Sequence, residues 1–270
     1  MRLGIFAKTF AGRDPATVLA AAAAAGYRGV AYNMACSGLD AMPVRISDVE
    51  IAAVVAASAA TGQVIHSLSG TCNMIHPDPA LRVQGHARLA VLAAAARPMG
   101  TDLITLCTGT RDAADPWRHH GDNGSVAAWH DLIDSMTIAV QIAETHDIYL
   151  GVEPELGNVV NGAVAARRLL DEMGSPRIRI VLDPANLFEM SGDPRRVIAE
   201  AVDMLGPSIA MAHAKDRDAK GGFVAAGTGV VDFGDFIGRL RQAGFDGPVV
   251  THGLTAAAAP AVAEFLAGLL

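Results

Sequence analysis

Two short apolar segments in the middle of the chain constrain its fold more than any other feature. Tyr149–Glu153 and Ile178–Asp183 both run through hydrophobic residues, end on a carboxylate and are followed at once by proline. Because proline removes a donor from a strand ladder, both segments are typical of buried parallel strands that stop there. Apolar residues recur at helical spacing between them, and Gly174 can cap that helix. The stretch therefore predicts a strand, a helix and a second strand, with an acid at the end of each strand.

The same unit recurs along the whole chain. Two later apolar strands, at 208–213 and 248–252, each end on a histidine, and earlier strands are predicted at 3–7, 29–33, 63–68 and 103–107. Helical patterns separate them without a linker or a shift in composition. Eight strand and helix pairs over residues 1–270 predict an α/β protein made of a single (β/α)8 barrel domain. An open doubly wound sheet is the alternative, but no Gly-x-Gly-x-x-Gly follows the first strand.

Composition narrows the class of protein. Hydrophobic residues make up 51% of the chain, enough for a large core, and the net charge of -7 disfavours a nucleic-acid-binding surface. We find no convincing signal or membrane-spanning segment, and the three cysteines show no pair spacing. These features favour a cytoplasmic protein with a small-molecule substrate, and its alanine-rich outer helices are compatible with a homo-oligomer.

Four strands deliver polar side chains to equivalent positions. Glu153, Asp183, His213 and His252 each stand at the carboxyl end of a predicted strand, and in a barrel these ends share one face. A lone acid or histidine at the end of a strand is more often structural or solvated. Four such residues at the ends of successive strands rarely occur by chance. Two carboxylates and two imidazoles suit Mn, Co, Zn or Fe better than Mg or Ca. The sequence thus predicts a site for one divalent metal ion.

Four motifs carry a resemblance to a known family. They are Val-Glu-Pro at 152–154, Leu-Asp-Pro-Ala-Asn at 182–186, His-Ala-Lys-Asp at 213–216 and Gly-Thr-Gly-Val-Val-Asp-Phe at 227–233. Together they resemble the xylose isomerase-like barrels, which include bacterial sugar phosphate isomerases and epimerases and the inosose dehydratases. The resemblance covers almost the whole chain and is specific for the superfamily but not for a substrate.

The resemblance implies roles for particular residues. Glu153, Asp183 and His213 match metal ligands, whereas the usual fourth ligand, a glutamate after the last strand, is replaced by His252. Asn186 stands where many relatives have a substrate-binding histidine. A metal is compatible with both changes, but a coordinated imidazole is a poor base. Proton transfer by two carboxylates, as in the family's epimerases, is therefore in question.

Further residues are candidates for catalysis or substrate binding. If the metal holds two oxygens of a hydroxy-ketone and stabilises an enediolate, Glu153 can abstract the neighbouring proton. Lys215 is expected to act as an acid or to hold an anionic group, unless it is a solvated lysine of a loop. Glu155 is a substrate-site candidate, although a loop charge or a partner of the metal ligands is an equally simple interpretation. His66 is expected to reach the substrate from the opposite wall, with a satisfied core histidine as the alternative.

The longest predicted loop spans residues 108–124. Arg111 and Trp117 in this loop suit a lid over a polar ligand, with a subunit contact as the alternative. The glycines of Gly227-Thr228-Gly229 could let backbone amides approach a ligand, but a tight turn would explain them equally well.

Three functions are compatible with this site. The first is a metal-dependent isomerase or epimerase of a small sugar, and the second is a dehydratase that uses the same metal and expels a hydroxyl group. The third is a barrel that binds a ligand without turnover, which the changes at Asn186 and His252 make plausible. DNA-repair endonucleases share the fold but need more histidine and acidic ligands, and Cys107 and Asn186 occupy places where histidines are expected.

Overall fold

The computed structural model describes residues 1–270 and shows strands alternating with helices. The strands are β1 (Arg2–Phe6), β2 (Gly29–Tyr32), β3 (Val64–Ser69), β4 (Leu103–Cys107), β5 (Tyr149–Glu153), β6 (Ile178–Leu182), β7 (Ile209–Arg217), β8 (Phe223–Ala225) and β9 (Pro248–Thr251). The helices are α1 (Pro15–Ala24), α2 (Asp48–Thr61), α3 (Pro79–Ala96), α4 (Val126–Thr145), α5 (Ala163–Met173), α6 (Pro194–Leu205), α7 (Phe233–Gln242) and α8 (Ala259–Ala267).

Eight of the nine strands close into a parallel barrel. β1 to β7 follow one another around the ring in chain order, and β9 closes it by pairing with both β7 and β1. Each crossover carries a helix on the outside, as parallel pairing requires. The predicted (β/α)8 barrel is therefore confirmed, and the open sheet is excluded.

Polar side chains cap the starts of several helices. The side chains of Asp14 and Asp193 accept hydrogen bonds from the backbone amides of Thr17 and Arg196 at the starts of α1 and α6. Ser47 forms a capping box at the start of α2. No helix is both long enough and apolar enough to cross a membrane.

The region after the seventh strand differs from the prediction. We expected this strand to end at His213, but β7 continues to Arg217 and pairs with β8 as an antiparallel hairpin. The carboxylate of Asp216 is fully buried and accepts hydrogen bonds from the amides of Gly227, Gly229 and Val231. These glycine amides are thus bound within the protein, and the turn interpretation of the motif is correct.

The barrel interior is packed below the strand ends. Ala31, Leu103, Val181, Met211 and Val250 form a buried apolar layer inside the ring, separate from the large core between strands and helices. Such a filled interior leaves only the two ends of the barrel open to a ligand. The functional site must therefore be sought at one of these ends.

Candidate metal centre and active-site cavity

The four predicted ligands meet at the carboxyl end of the barrel. They project from β5, β6, β7 and β9, which are consecutive around the ring, and their potential ligand atoms all lie within 4.8 Å of one another. Nδ1 of His213 lies 3.0 Å from Oε1 of Glu153, and Nε2 of His252 lies 2.9 Å from Oδ2 of Asp183. The two imidazole rings are tilted by 59° to each other, with centroids 4.5 Å apart.

Asp183 is the most constrained of the four. Its side chain is fully buried, and its Oδ1 accepts a hydrogen bond from the backbone amide of Ala185 in the turn that Pro184 begins. Its Oδ2 points to His252 and also lies 3.1 Å from Nζ of Lys215. The chain after β6 therefore fixes one carboxylate oxygen and leaves the other in the cluster.

Asn186 connects two of the catalytic candidates. Its side-chain nitrogen donates to Oε1 of Glu153 at 2.9 Å, and its oxygen accepts from Nζ of Lys215 at 2.7 Å. Lys215 and Asn186 are both buried. The asparagine that replaces a histidine in the family pattern thus holds Glu153 and Lys215 in a defined relative position.

The charges of the cluster are strongly coupled. Burial acts to raise the pKa of both carboxylates. At Glu153 the interaction with His213 outweighs burial, and the pKa is lowered. At Asp183 the interactions with Lys215 and His252 outweigh burial, and the pKa is lowered as well. Burial acts to lower the pKa of His213, yet the charge of Glu153 leaves it raised. Burial and the charge of His213 lower the pKa of His252. Both carboxylates are therefore ionised and ready to bind a cation.

Glu155 behaves differently from its neighbours. Burial, and next the charge of Glu153, raise its pKa to about 8. At neutral pH this carboxyl group is therefore mostly protonated, so it offers a proton donor beside the ionised cluster.

The chemistry of the donor set fits a divalent metal ion. Two ionised carboxylates and two imidazole nitrogens in one cluster match the ligands of first-row transition metals, and all four are supplied by rigid strand ends. Asp183 and His213 are buried, Glu153 and His252 are half-buried, and a cation between them would compensate the desolvation of the carboxylates. Glu153, Asp183, His213 and His252 are the residues that could hold the ion.

A cavity with two adjoining lobes lies above the cluster. The first, which we call the inner lobe, has a volume of about 440 Å³ and is lined by Phe6, Lys8, Ala31, Asn33, Ala41, Ser69, Thr71, Cys72, Thr105, Pro116, Trp117, Glu153, Glu155, His213 and His252. The second, the outer lobe, has about 550 Å³ and is lined by Trp117, His119, Glu155, Leu156, Gly157, Asn186, Glu189, Lys215, Arg217, Phe223 and His252.

Comparison with known proteins identifies the family. The family model for the xylose isomerase-like TIM barrel matches residues 19–267. The chain belongs to this family. No curated protein matches the sequence significantly.

Solved structures share the fold over the full length of the chain. A 3-keto-D-glucoside 4-epimerase from E. coli is 20% identical, with a TM-score of 0.75 and coverage of 100% of this chain and 98% of that one. A D-allulose 3-epimerase from Methylomonas sp. is 18% identical, with a TM-score of 0.78 and the same coverage. A probable 3-DHS dehydratase from Bacillus anthracis is 15% identical, with a TM-score of 0.77 and 99% coverage of both chains.

In this xylose isomerase-like barrel, the 108–124 loop lies partly over the cavity. Trp117 lines both lobes, as expected of a residue that covers a ligand. Arg111 does not line either lobe: its guanidinium pairs with Asp131 of α4 at 2.6 Å and donates to the carbonyl of Ile75. Arg111 is therefore not placed to contact a substrate in either lobe, contrary to expectation, because the arginine anchors the base of the loop.

His66 lies at the opposite end of the barrel from the metal centre. It borders a cavity of about 550 Å³ at the amino-terminal ends of the strands, together with Arg2 and Pro248. The register of β3 against β2 shifts at this point, and the ring fills space left open by Gly4 and Gly29. The expected substrate contact of His66 is wrong, because the residue is near the start of its strand.

The surroundings of His66 predict a pH-dependent loss of stability. Its Nε2 has no hydrogen-bond partner, and burial, followed by the charge of Arg2, lowers its pKa to about 4. The unfolded chain thus binds a proton at higher pH than the folded protein, so stability falls as pH drops from about 6.5 towards 4. Replacing His66 by leucine should reduce the loss between pH 6.5 and 4.5 by roughly 2–3 kcal/mol.

Urea unfolding of the wild type and the His66→Leu variant at these two pH values measures the difference. Replacement of the exposed His130 by leucine controls for the loss of an imidazole. An identical pH dependence in all three proteins would show that His66 is not a buried neutral histidine.

The inner lobe also contains residues that sequence reasoning missed. Phe6 and Ser69 line it from the ends of β1 and β3, and Thr105 lines it from the middle of β4. The rule that selected Glu153, that strand ends face the site, applies to Phe6 and Ser69 but not to Thr105. Their uncharged side chains carry no chemical signal of their own, which is why they were overlooked.

Proposed function

We propose that the protein is a metal-dependent isomerase or epimerase of a small sugar or sugar derivative. The observation that carries this proposal is the cluster of Glu153, Asp183, His213 and His252 at the floor of the inner lobe. Membership of the xylose isomerase-like family and the two epimerases of the same fold support it. We further propose that the protein acts as a cytoplasmic enzyme.

Glu153 is the proposed base. A bound divalent ion would supply Lewis-acid chemistry, polarising the carbonyl of a hydroxy-ketone and stabilising the negative charge of an enediolate. Glu153 would remove the proton from the carbon next to the carbonyl. Asn186 and His213 both contact Oε1 of Glu153, which leaves Oε2 for this transfer.

Lys215 is proposed to hold or protonate a substrate oxygen. Its ammonium group is fixed between Asp183 and Asn186 and also lines the outer lobe. Its pKa is raised: burial opposes the charged form, but the charges of Asp183 and Glu153 outweigh that effect. Lys215 therefore stays cationic and stabilises negative charge that develops on the substrate.

A dehydratase is the second candidate, and the protonation of Glu155 favours it. Loss of a hydroxyl group requires a general acid near the leaving oxygen, and the raised pKa of Glu155 keeps its proton available at neutral pH. A probable dehydratase is also among the solved structures with this fold. The same base, Glu153, would serve both reactions.

Exchange of solvent deuterium into ketoses tests the proposal. Protein supplied with Mn²⁺ is incubated in D₂O with a panel of ketohexoses and ketopentoses, and products are followed by mass spectrometry and NMR. We expect incorporation of deuterium next to the carbonyl without other change in mass. Loss of water would support the dehydratase, whereas neither reaction with any sugar would favour a barrel that only binds ligands. Protein stripped of metal is the control.

A further inference from the structure

Seven of the eleven residues that line the outer lobe have no part in the proposed proton transfer. The outer lobe shares Trp117, Glu155 and His252 with the inner lobe, so the two spaces adjoin above the cluster. Glu153 and His213, however, line only the inner lobe. A sugar that reacts beside Glu153 therefore leaves most of the outer lobe to another group.

We propose that the outer lobe is a subsite for a second sugar ring, so that the substrate is a glycoside of the reacting sugar. The inference rests on the proposed function for the ring beside Glu153, but it adds the class of substrate. Each lobe alone falls within the range of about 300–1,000 Å³ typical of small-molecule sites. Two joined lobes therefore suit two connected units.

Two exposed aromatic side chains border the outer lobe. Trp117 is 51% exposed and Phe223 is 56% exposed, although both are large apolar residues. The faces of such rings bind the apolar C–H faces of sugars while the hydroxyl groups remain hydrated. Their exposure beside a polar cavity is explained if a sugar ring covers them.

The structure holds both aromatic residues in place. Phe223 pairs through β8 with Arg217 of β7, and Nζ of Lys215 lies 4.1 Å from the centre of its ring. The carbonyl of Trp117 approaches Gly157 so closely that a Cβ there would meet it at 2.4 Å. This fixed arrangement reduces the entropy lost when a ligand binds.

The polar groups of the outer lobe favour a neutral polyol over an anion. Lys215 is already paired with Asp183, and the guanidinium of Arg217 donates to the carbonyls of Gly221 and Phe188. Glu189 adds a carboxylate to the lining. A phosphate would meet this carboxylate and compete with the protein's own acceptors for both cations, whereas hydroxyl groups can donate to carboxylates and accept from cations.

Calorimetric titration of the protein in Mn²⁺ tests the subsite. The probes are fructose and disaccharides in which glucose is joined to different hydroxyl groups of fructose. We expect at least one disaccharide to bind about tenfold more tightly than fructose, and the Phe223→Ala and Trp117→Ala variants to lose most of this preference. Phe223→Ala should also keep its affinity for fructose, because Phe223 lines only the outer lobe. Phe265→Ala, which removes a partly exposed ring outside both lobes, is the matched control.

The outcomes separate the subsite from the reaction. A preference for a disaccharide that disappears in the two aromatic variants but not in Phe265→Ala supports the subsite, even if no deuterium exchange occurs and the proposed function fails. If fructose binds as tightly as every disaccharide, or neither aromatic variant changes the preference, the subsite is overturned even if exchange is observed. Melting temperatures confirm that each variant is folded.

Discussion

Replacing Glu153 by glutamine should lower the rate of deuterium exchange into the substrate by about 10²- to 10⁴-fold, the usual contribution of a positioned general base. Glutamine has nearly the same shape and can still accept the hydrogen bond from Asn186, but it cannot take up a proton. The rate is measured by NMR in D₂O with the metal content determined on the same sample. This separates loss of the base from loss of the ion.

Glu144→Gln provides the control for a change of charge, because Glu144 is exposed on α4. It should exchange protons at the wild-type rate. Unchanged exchange in Glu153→Gln would assign the proton transfer to another residue, with Glu155 as the first alternative.

Replacing Asp183 by asparagine should weaken metal binding by at least about 100-fold, more than is usual for loss of a residue that only orients a ligand. The change removes a buried anionic ligand and leaves Lys215 without its 3.1 Å partner. The metal-free variant should therefore also lose on the order of 1–3 kcal/mol of unfolding free energy. Thermal unfolding with and without Mn²⁺ measures both effects, since a bound ion stabilises only the folded state.

The exposed Asp203 of α6 offers a matched substitution, Asp203→Asn. This control should show the same rise in melting temperature with Mn²⁺ as the wild type. If Asp183→Asn shows that full rise as well, Asp183 does not bind the ion.

The position of the candidate metal centre could be predicted because a simple topological rule locates it. In a parallel barrel every strand ends on the same face, so a polar residue at each strand end is enough to place Glu153, Asp183, His213 and His252 together. The structure confirms this grouping within 4.8 Å. Their hydrogen-bond partners were not predictable, because the turn after β6 decides that Asn186 contacts both Glu153 and Lys215.

Other assignments failed where position along a strand or contacts of a loop decide the outcome. His66 precedes the end of β3 by three residues and lies at the opposite end of the barrel from the site. The guanidinium of Arg111 could pair with an anionic substrate group, but in the structure it pairs with the carboxylate of Asp131 on α4. The β7–β8 hairpin brings Phe223 to the cavity. Next to it, the carboxylate of Asp216 accepts hydrogen bonds from backbone amides that are distant in the chain. Neither a hydrophobic pattern nor a motif encodes such contacts.

Anomalous diffraction from crystals grown with Mn²⁺ tests the central claim most directly. We expect one strong peak in contact with Glu153, Asp183, His213 and His252, and no peak there in crystals of the His213→Ala variant. A map without density between these four side chains, with Glu153 still hydrogen-bonded to His213 and Asp183 to His252, would contradict the proposed metal site.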